Sequence, residues 1–208
     1  MNKFNKLALA TMIAMTSLAA VGCSEDTKPA ASDTADNKED DVKNQRAALA
    51  ATQIAESALT DQFASKKGLA ADGSDYEYFV PKQESTEAAV EFLSKWWDKD
   101  LVKKEYEALL ADSAKLEEIN AAIKAKVDKD NAAAEKAEDK TEFTPITVAA
   151  DSAKLGANDI ASANVKFDDV KVTKDGDNYI VEAKGLKYTV SKNGNEYKVI
   201  AKEGTLTK

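Results

Sequence analysis

No histidine occurs anywhere in the 208 residues, and a single cysteine, Cys23, carries all the thiol chemistry the chain has. That removes every Ser-His or Cys-His nucleophile pair, the imidazole general base and the commonest metal ligand. What remains is carboxylate, with 37 acidic residues against 29 basic ones. Paired carboxyls can hydrolyse glycosidic bonds when they stand ~5–10 Å apart with one of them held protonated. Two runs look superficially like calcium loops, Asp175-Gly176-Asp177-Asn178 and Asp128-Lys129-Asp130-Asn131. Counting back from Gly176 places Lys171 and Thr173 at the first and third ligand positions, so the cage is not made, and these are read as turn residues. The eight glycines are scattered singly, with no P-loop and no dinucleotide fingerprint. Neither a metal nor a cofactor is expected.

Aromatic chemistry centres on Trp96-Trp97, with Phe92 four residues before Trp96. Such a cluster could stack on sugars or on aromatic side chains of a partner. At helical spacing it also suits a helix face packed on a sheet. Neighbouring helical residues point about 100° apart, so both tryptophans cannot be central, and one belongs at an edge. Trp96 and Trp97 are the candidate partner-binding residues.

The N-terminus has a definite pattern. Lys3 and Lys6 precede an uncharged stretch over residues 7–18, too short to span a bilayer permanently. Small residues then lead into Cys23 in the run Leu18-Ala19-Ala20-Val21-Gly22-Cys23. This resembles the lipobox of bacterial lipoproteins, with Ala20 where that family most often has Leu. The resemblance covers about 23 residues and implies removal of a signal peptide at 1–22 and acylation of Cys23. It further implies attachment to the lipid bilayer through those acyl chains. Ser24 resembles the neutral residue that permits sorting to the outer membrane, facing the periplasm or the cell surface.

Charge sharpens the picture. The signal region holds two of the 29 basic residues and none of the acidic ones, so the mature chain carries 27 against 37, a net charge of −10. That field is wrong for nucleic acid, whose binding depends on neutralising phosphates. It also provides no polybasic membrane patch, so attachment must come from the acyl chains. With Cys23 lipidated no disulfide can form. Residues 23–43 are read as the lipidated cysteine and a disordered acidic tether, because one large apolar residue cannot offset the entropy of ordering them.

Residues 44–144 read as a helical region. An Ala-rich helix is expected over 44–64, with a weak stripe of Val42, Leu49, Leu59 and Phe63 and with Ile54 opposite. Tyr76, Tyr78 and Val80 alternate as a short strand before Pro81. Ser85 or Thr86 can cap a helix that carries Val90, Leu93, Trp97 and Leu101, followed by Leu116, Ile119, Ile123 and Val127. The spacing predicts one long or two consecutive helices over 86–127, with a break near Asp112-Ser113. Residues 128–144 are read as a solvated helix extension or a linker.

Residues 145–208 change character. Val170/Val172, Tyr179/Val181/Ala183, Leu186/Tyr188/Val190 and Tyr197/Val199/Ala201 each fill one face of a strand. Turn signals stand between them, and Asn193-Gly194 is the strongest. The segment 171–184 repeats at an offset of 18 in 189–202, which gives two tandem hairpins and a four-stranded antiparallel meander. Asp168-Asp169 shifts the alternation by one and is read as a β-bulge in a long edge strand. The sheet's apolar face needs a cover, for which the helix carrying Leu93, Trp96 and Trp97 is the candidate. The expected class is α+β, helices on one face of a four-stranded antiparallel meander in a single domain. The order loosely resembles cystatin-like or nuclear-transport-factor-like cones, a likeness of topology that transfers no function.

The functional expectation is a membrane-anchored envelope lipoprotein acting as a non-catalytic binding or accessory module, with a protein partner in the envelope. The alternatives are a periplasmic inhibitor or immunity protein steered onto a basic partner, and a carboxylate-based glycan hydrolase.

Overall fold

A computed structural model describes residues 35–156, 160–161 and 165–207. The expected signal peptide at 1–22, Cys23 and the first part of the expected tether lie outside the described residues. Helix α1 (Ala35–Thr60) leads into a hairpin of β1 (Phe63–Leu69) and β2 (Asp75–Pro81). Three helices follow: α2 (Thr86–Leu93), α3 (Lys99–Leu109) and α4 (Ser113–Ala133). The chain ends in β3 (Lys171–Asp175), β4 (Asn178–Ala183), β5 (Leu186–Asn193) and β6 (Glu196–Gly204), an antiparallel sheet in the order β3-β4-β5-β6. The α+β class and the meander of tandem hairpins are therefore as the alternation indicates.

Several boundaries differ, each for a local reason. The helix α1 starts at Ala35, inside the stretch read as tether up to 43. Glu39, Asp40 and Asp41 lie near its start, the end at which negative charge complements the helix dipole. The region 44–144 is not all helical, because β1 pairs with β2 from Phe63↔Pro81 to Leu69↔Asp75. The strand β1 has the sequence FASKKGL, too polar to announce itself, and is held by its partner. The expected long helix is three helices. Asp112 caps α4, its Oδ1 accepting from Lys115 N at 2.8 Å, so the break near 112–113 is real. A second break lies at 94–98, where Asp98 caps α3 by accepting from the amides of Asp100 and Leu101, each at 3.1 Å. Trp96 and Trp97 thus sit in a connection between helices, not on a helix face.

The cover of the four-stranded sheet also differs from expectation. The helix α1 lies across all four strands, and its covered face includes Ala48, Leu49, Thr52, Ala55, Glu56 and Leu59. Alanines let the helix approach closely, but they give no strong apolar stripe, so the sequence pattern hides this helix's role. Leu93 and Trp97 join the same core at the β6 side, with Val102 and Tyr106 of α3 and Phe63, whose ring stacks on Tyr106 at 5.1 Å.

The helix α4 packs apart from that core, on β1. A Cβ on Gly68 would stand 3.0 Å from Ala122, so only glycine allows this approach without displacement. Beyond α4 the chain returns as an extended strap. Asn120 and Asn131 each clamp one residue's backbone: Asn120 accepts from Ile146 N at 2.9 Å and donates to Ile146 O at 3.0 Å. Asn131 does the same with Thr141, at 2.8 Å both ways. Eleven residues of helix and five of extended chain both span about 16 Å, so the two clamps match in length.

The β-bulge expected at Asp168-Asp169 does not form. Asp168 and Asp169 belong to a 3-10 turn, Phe167–Asp169, ahead of β3. The register shift lies between β5 and β6, where Val190 pairs with Val199 but Thr189 pairs with Ala201. Ile200 is the extra residue.

Candidate functional site

The bulge at Ile200 decides what faces the core. Without it, Tyr197, Val199 and Ala201 would share one face and Lys202 would point to solvent. With it, Ala201 moves to the outer face beside Thr189, and Lys202 joins the inward rung Val172–Val181–Tyr188. The expected Tyr197/Val199/Ala201 stripe is therefore broken at its last residue.

The lysine so placed has a built environment. Its Nζ stands 2.8 Å from Glu56 Oε1 on α1 and 3.1 Å from Glu105 Oε2 on α3. The side chain is 9% exposed, that of Glu56 1% and that of Glu105 22%. Aromatic faces complete the shell, with Nζ 5.9 Å from the Trp97 ring centroid and 5.7 Å from that of Tyr188. Burial pulls Lys202 toward the neutral amine, but the Glu56 and Glu105 carboxylates outweigh it and hold its pKa above the ordinary lysine value. A cavity of about 250 Å³ opens beside this cluster, walled by Leu59, Thr60, Leu109 and Lys154.

The two tryptophans separate as their adjacency requires. Trp97 is fully buried, its indole donating to Ala55 O at 2.8 Å, so it cannot be a contact residue and is corrected to core. Trp96 is half-buried, and Phe92 beside it is 38% exposed. Their rings lie 5.5 Å apart, edge to face, with Lys95 Nζ 4.9 Å from the Phe92 centroid and 6.0 Å from that of Trp96. The backbone at Trp96–Asp98 runs along β6: Val199 N donates to Trp96 O at 2.8 Å, and Asp98 N to Val199 O at 2.7 Å. The aromatic pair is thereby fixed at the sheet's edge.

The other candidates are accounted for locally. Asp175 pairs with Asn178 across the β3–β4 turn, and Asp128 and Asp130 on α4 bind Lys124 and Lys126. Among the described residues no three His, Cys, Asp or Glu side chains are grouped to hold a metal ion, and no helix is long and apolar enough to cross a membrane. Sequence reasoning missed Glu56, Glu105 and Lys202. A glutamate at the centre of an alanine-rich helix was the one available signal, and only the bulge explains it.

Compared with models of known protein families, with curated proteins and with solved structures, the chain matches none.

Proposed function

We propose that the chain is a bacterial envelope lipoprotein, held to the bilayer by acyl chains on Cys23, that acts by contact and not by catalysis. The anchor reading is supported by the lipobox-like run ending at Cys23. The contact reading is supported by the Phe92–Trp96 pair, an exposed phenyl ring against a half-buried indole on an acidic chain.

One observation bears on the rival hydrolase reading. Because both bind one ammonium, Glu56 Oε1 and Glu105 Oε2 lie no more than about 6 Å apart beside a cavity, a spacing that suits a retaining glycosidase. Such an enzyme needs one carboxyl protonated near neutral pH. A shared cation opposes that, since it favours the ionised form of both acids. The arrangement fits an ion cluster that seals α1 to the sheet. The test has two arms. The Cys23→Ala protein should appear as uncleaved precursor or as soluble protein, and unchanged detergent partitioning contradicts the anchor. Glycan turnover by the purified protein, lost in Glu105→Gln, contradicts the non-catalytic reading.

A further inference from the structure

The large apolar side chains left exposed among the described residues are Val42, Ile54, Phe92, Val148 and Ile200. Phe92 borders Trp96, and Ile200 lies on β6, the strand that the Trp96–Asp98 backbone runs along. Phe92 packs its ring against that of Trp96, and Ile200 follows the residue whose amide Trp96 accepts from. Lysines flank this patch, with Lys95 over both rings and Lys198 exposed on β6. Of the nearby acids, Glu91 pairs with Lys99 at 3.1 Å, while Asp98 caps α3 and Asp100 lies in that helix's first turn, both on the α3 side of the rings. In a mature chain of net charge −10, the rings themselves thus have a lysine, Lys95, as their charged neighbour. Sugar stacking would need an open ring face, but the edge-to-face pairing and Lys95 already occupy this pair. Indole and phenyl rings beside lysines suit the boundary between hydrocarbon and headgroups, with rings at the carbonyl level and ammonium groups toward phosphate.

The reach of the chain agrees with that occupant. Eleven residues, 24–34, separate Cys23 from the start of α1, about 40 Å when fully extended. Ala55, which receives the Trp97 indole, lies twenty residues along α1 from Ala35, about 30 Å. A helix lying near the plane of the membrane brings its tethered end and the patch to one surface. Anchoring at Cys23 also raises the local lipid concentration so far that a weak contact suffices.

We propose that the Phe92–Trp96 patch docks on the headgroup interface of the bilayer that holds Cys23, fixing the orientation of the domain; this rests on the lipid-anchor reading above. The full lipidated protein is reconstituted into phosphatidylcholine vesicles with and without brominated acyl chains, whose bromines quench nearby indoles. Trp97 is fully buried and out of the bromines' reach, so Trp96 is the residue whose emission reports the contact. Brominated lipid should reduce wild-type emission, and it should leave Trp96→Phe, whose melting curve serves as the control for folding, unchanged. Flotation of wild type against Cys23→Ala scores the anchor independently. If the wild type floats and its emission is the same in both lipids, the docking proposal falls and the anchor stands. Blue shift of Trp96 only on adding envelope proteins would assign the patch to a protein partner and overturn it too. If the wild type does not float, the anchor reading falls and the proposal with it.

Discussion

The two hairpins of the sheet carry the same repeated sequence and put its last residue to opposite uses. Lys184 closes the first repeat in the β4–β5 turn, exposed, with a φ of 47°. Lys202 closes the second and is buried between two glutamates. Spacing is identical: Tyr179, Val181, Ala183 and Lys184 correspond to Tyr197, Val199, Ala201 and Lys202. The difference lies in pairing. Glu182 occupies a regular place in β4, opposite Lys171 and Lys187, while its counterpart Ile200 is a bulge. One skipped pairing turns a surface lysine into the charge that joins α1 and α3 to the sheet. Bulges re-aim side chains in this way, and a duplicated hairpin can acquire a new inward group without changing its length.

Deletions should break the equivalence most sharply. Removing Ile200 takes out the unpaired residue and leaves every pairing of β6 intact, so the cost should be about 1 kcal/mol or less. Removing Glu182 turns Ala183 outward and shifts the β4–β5 turn, and the domain should fail to fold. Circular dichroism and urea melts of the two variants check this, and equal damage in both would contradict the register.

The lysines should differ next. Lys202→Met leaves Glu56 buried without its cation and should cost about 3–5 kcal/mol, while Lys184→Met should stay within about 0.5 kcal/mol. The pH dependence has a definite sign. Lys202's folded pKa is raised above 10.5, so its contribution is complete below pH 10.5 and is lost as pH rises through the folded value. Alkaline melts of wild type should therefore fall more steeply than those of a Glu56→Gln/Lys202→Met double variant.

The tyrosines give the smallest contrast. Tyr179 is 2% exposed, and Tyr179→Ala should cost about 3–5 kcal/mol. Tyr197 is only half-buried, its ring 6.2 Å from that of Tyr179 and its hydroxyl donating to Asn44 Oδ1 at 3.0 Å. Tyr197→Ala should cost about 1–2 kcal/mol, less than an equivalent core position would. Paired thermal melts read the difference.

The legibility of the chain follows the same line. Alternation and the Asn193-Gly194 turn exposed the meander, because strands with one buried face write their pattern at period two. The break at Asp112 was legible because a capping side chain marks it. The cover by α1 was not, since only Leu49 and Leu59 stand among the alanine, threonine and glutamate of its buried face, too few for a strong apolar stripe. Trp96 and Trp97 were legible as a pair divided between core and edge. Their removal from the helix depends on Asp98 capping a new one and on β6 accepting their backbone. Lys202 was illegible because its repeat partner is an ordinary turn lysine, and a bulge leaves no mark on spacing.

A double-mutant cycle on Glu56→Gln and Lys202→Met tests most directly that the bulge-directed ion cluster holds the helices to the sheet. Removing Lys202 takes the cation from buried Glu56, and removing Glu56 leaves Lys202 with Glu105 alone, so the double variant should be more stable than the two single losses sum to, with a coupling of about 2 kcal/mol or more. Losses that add to within about 0.5 kcal/mol would show that Lys202 and Glu56 do not act on each other and would contradict the account.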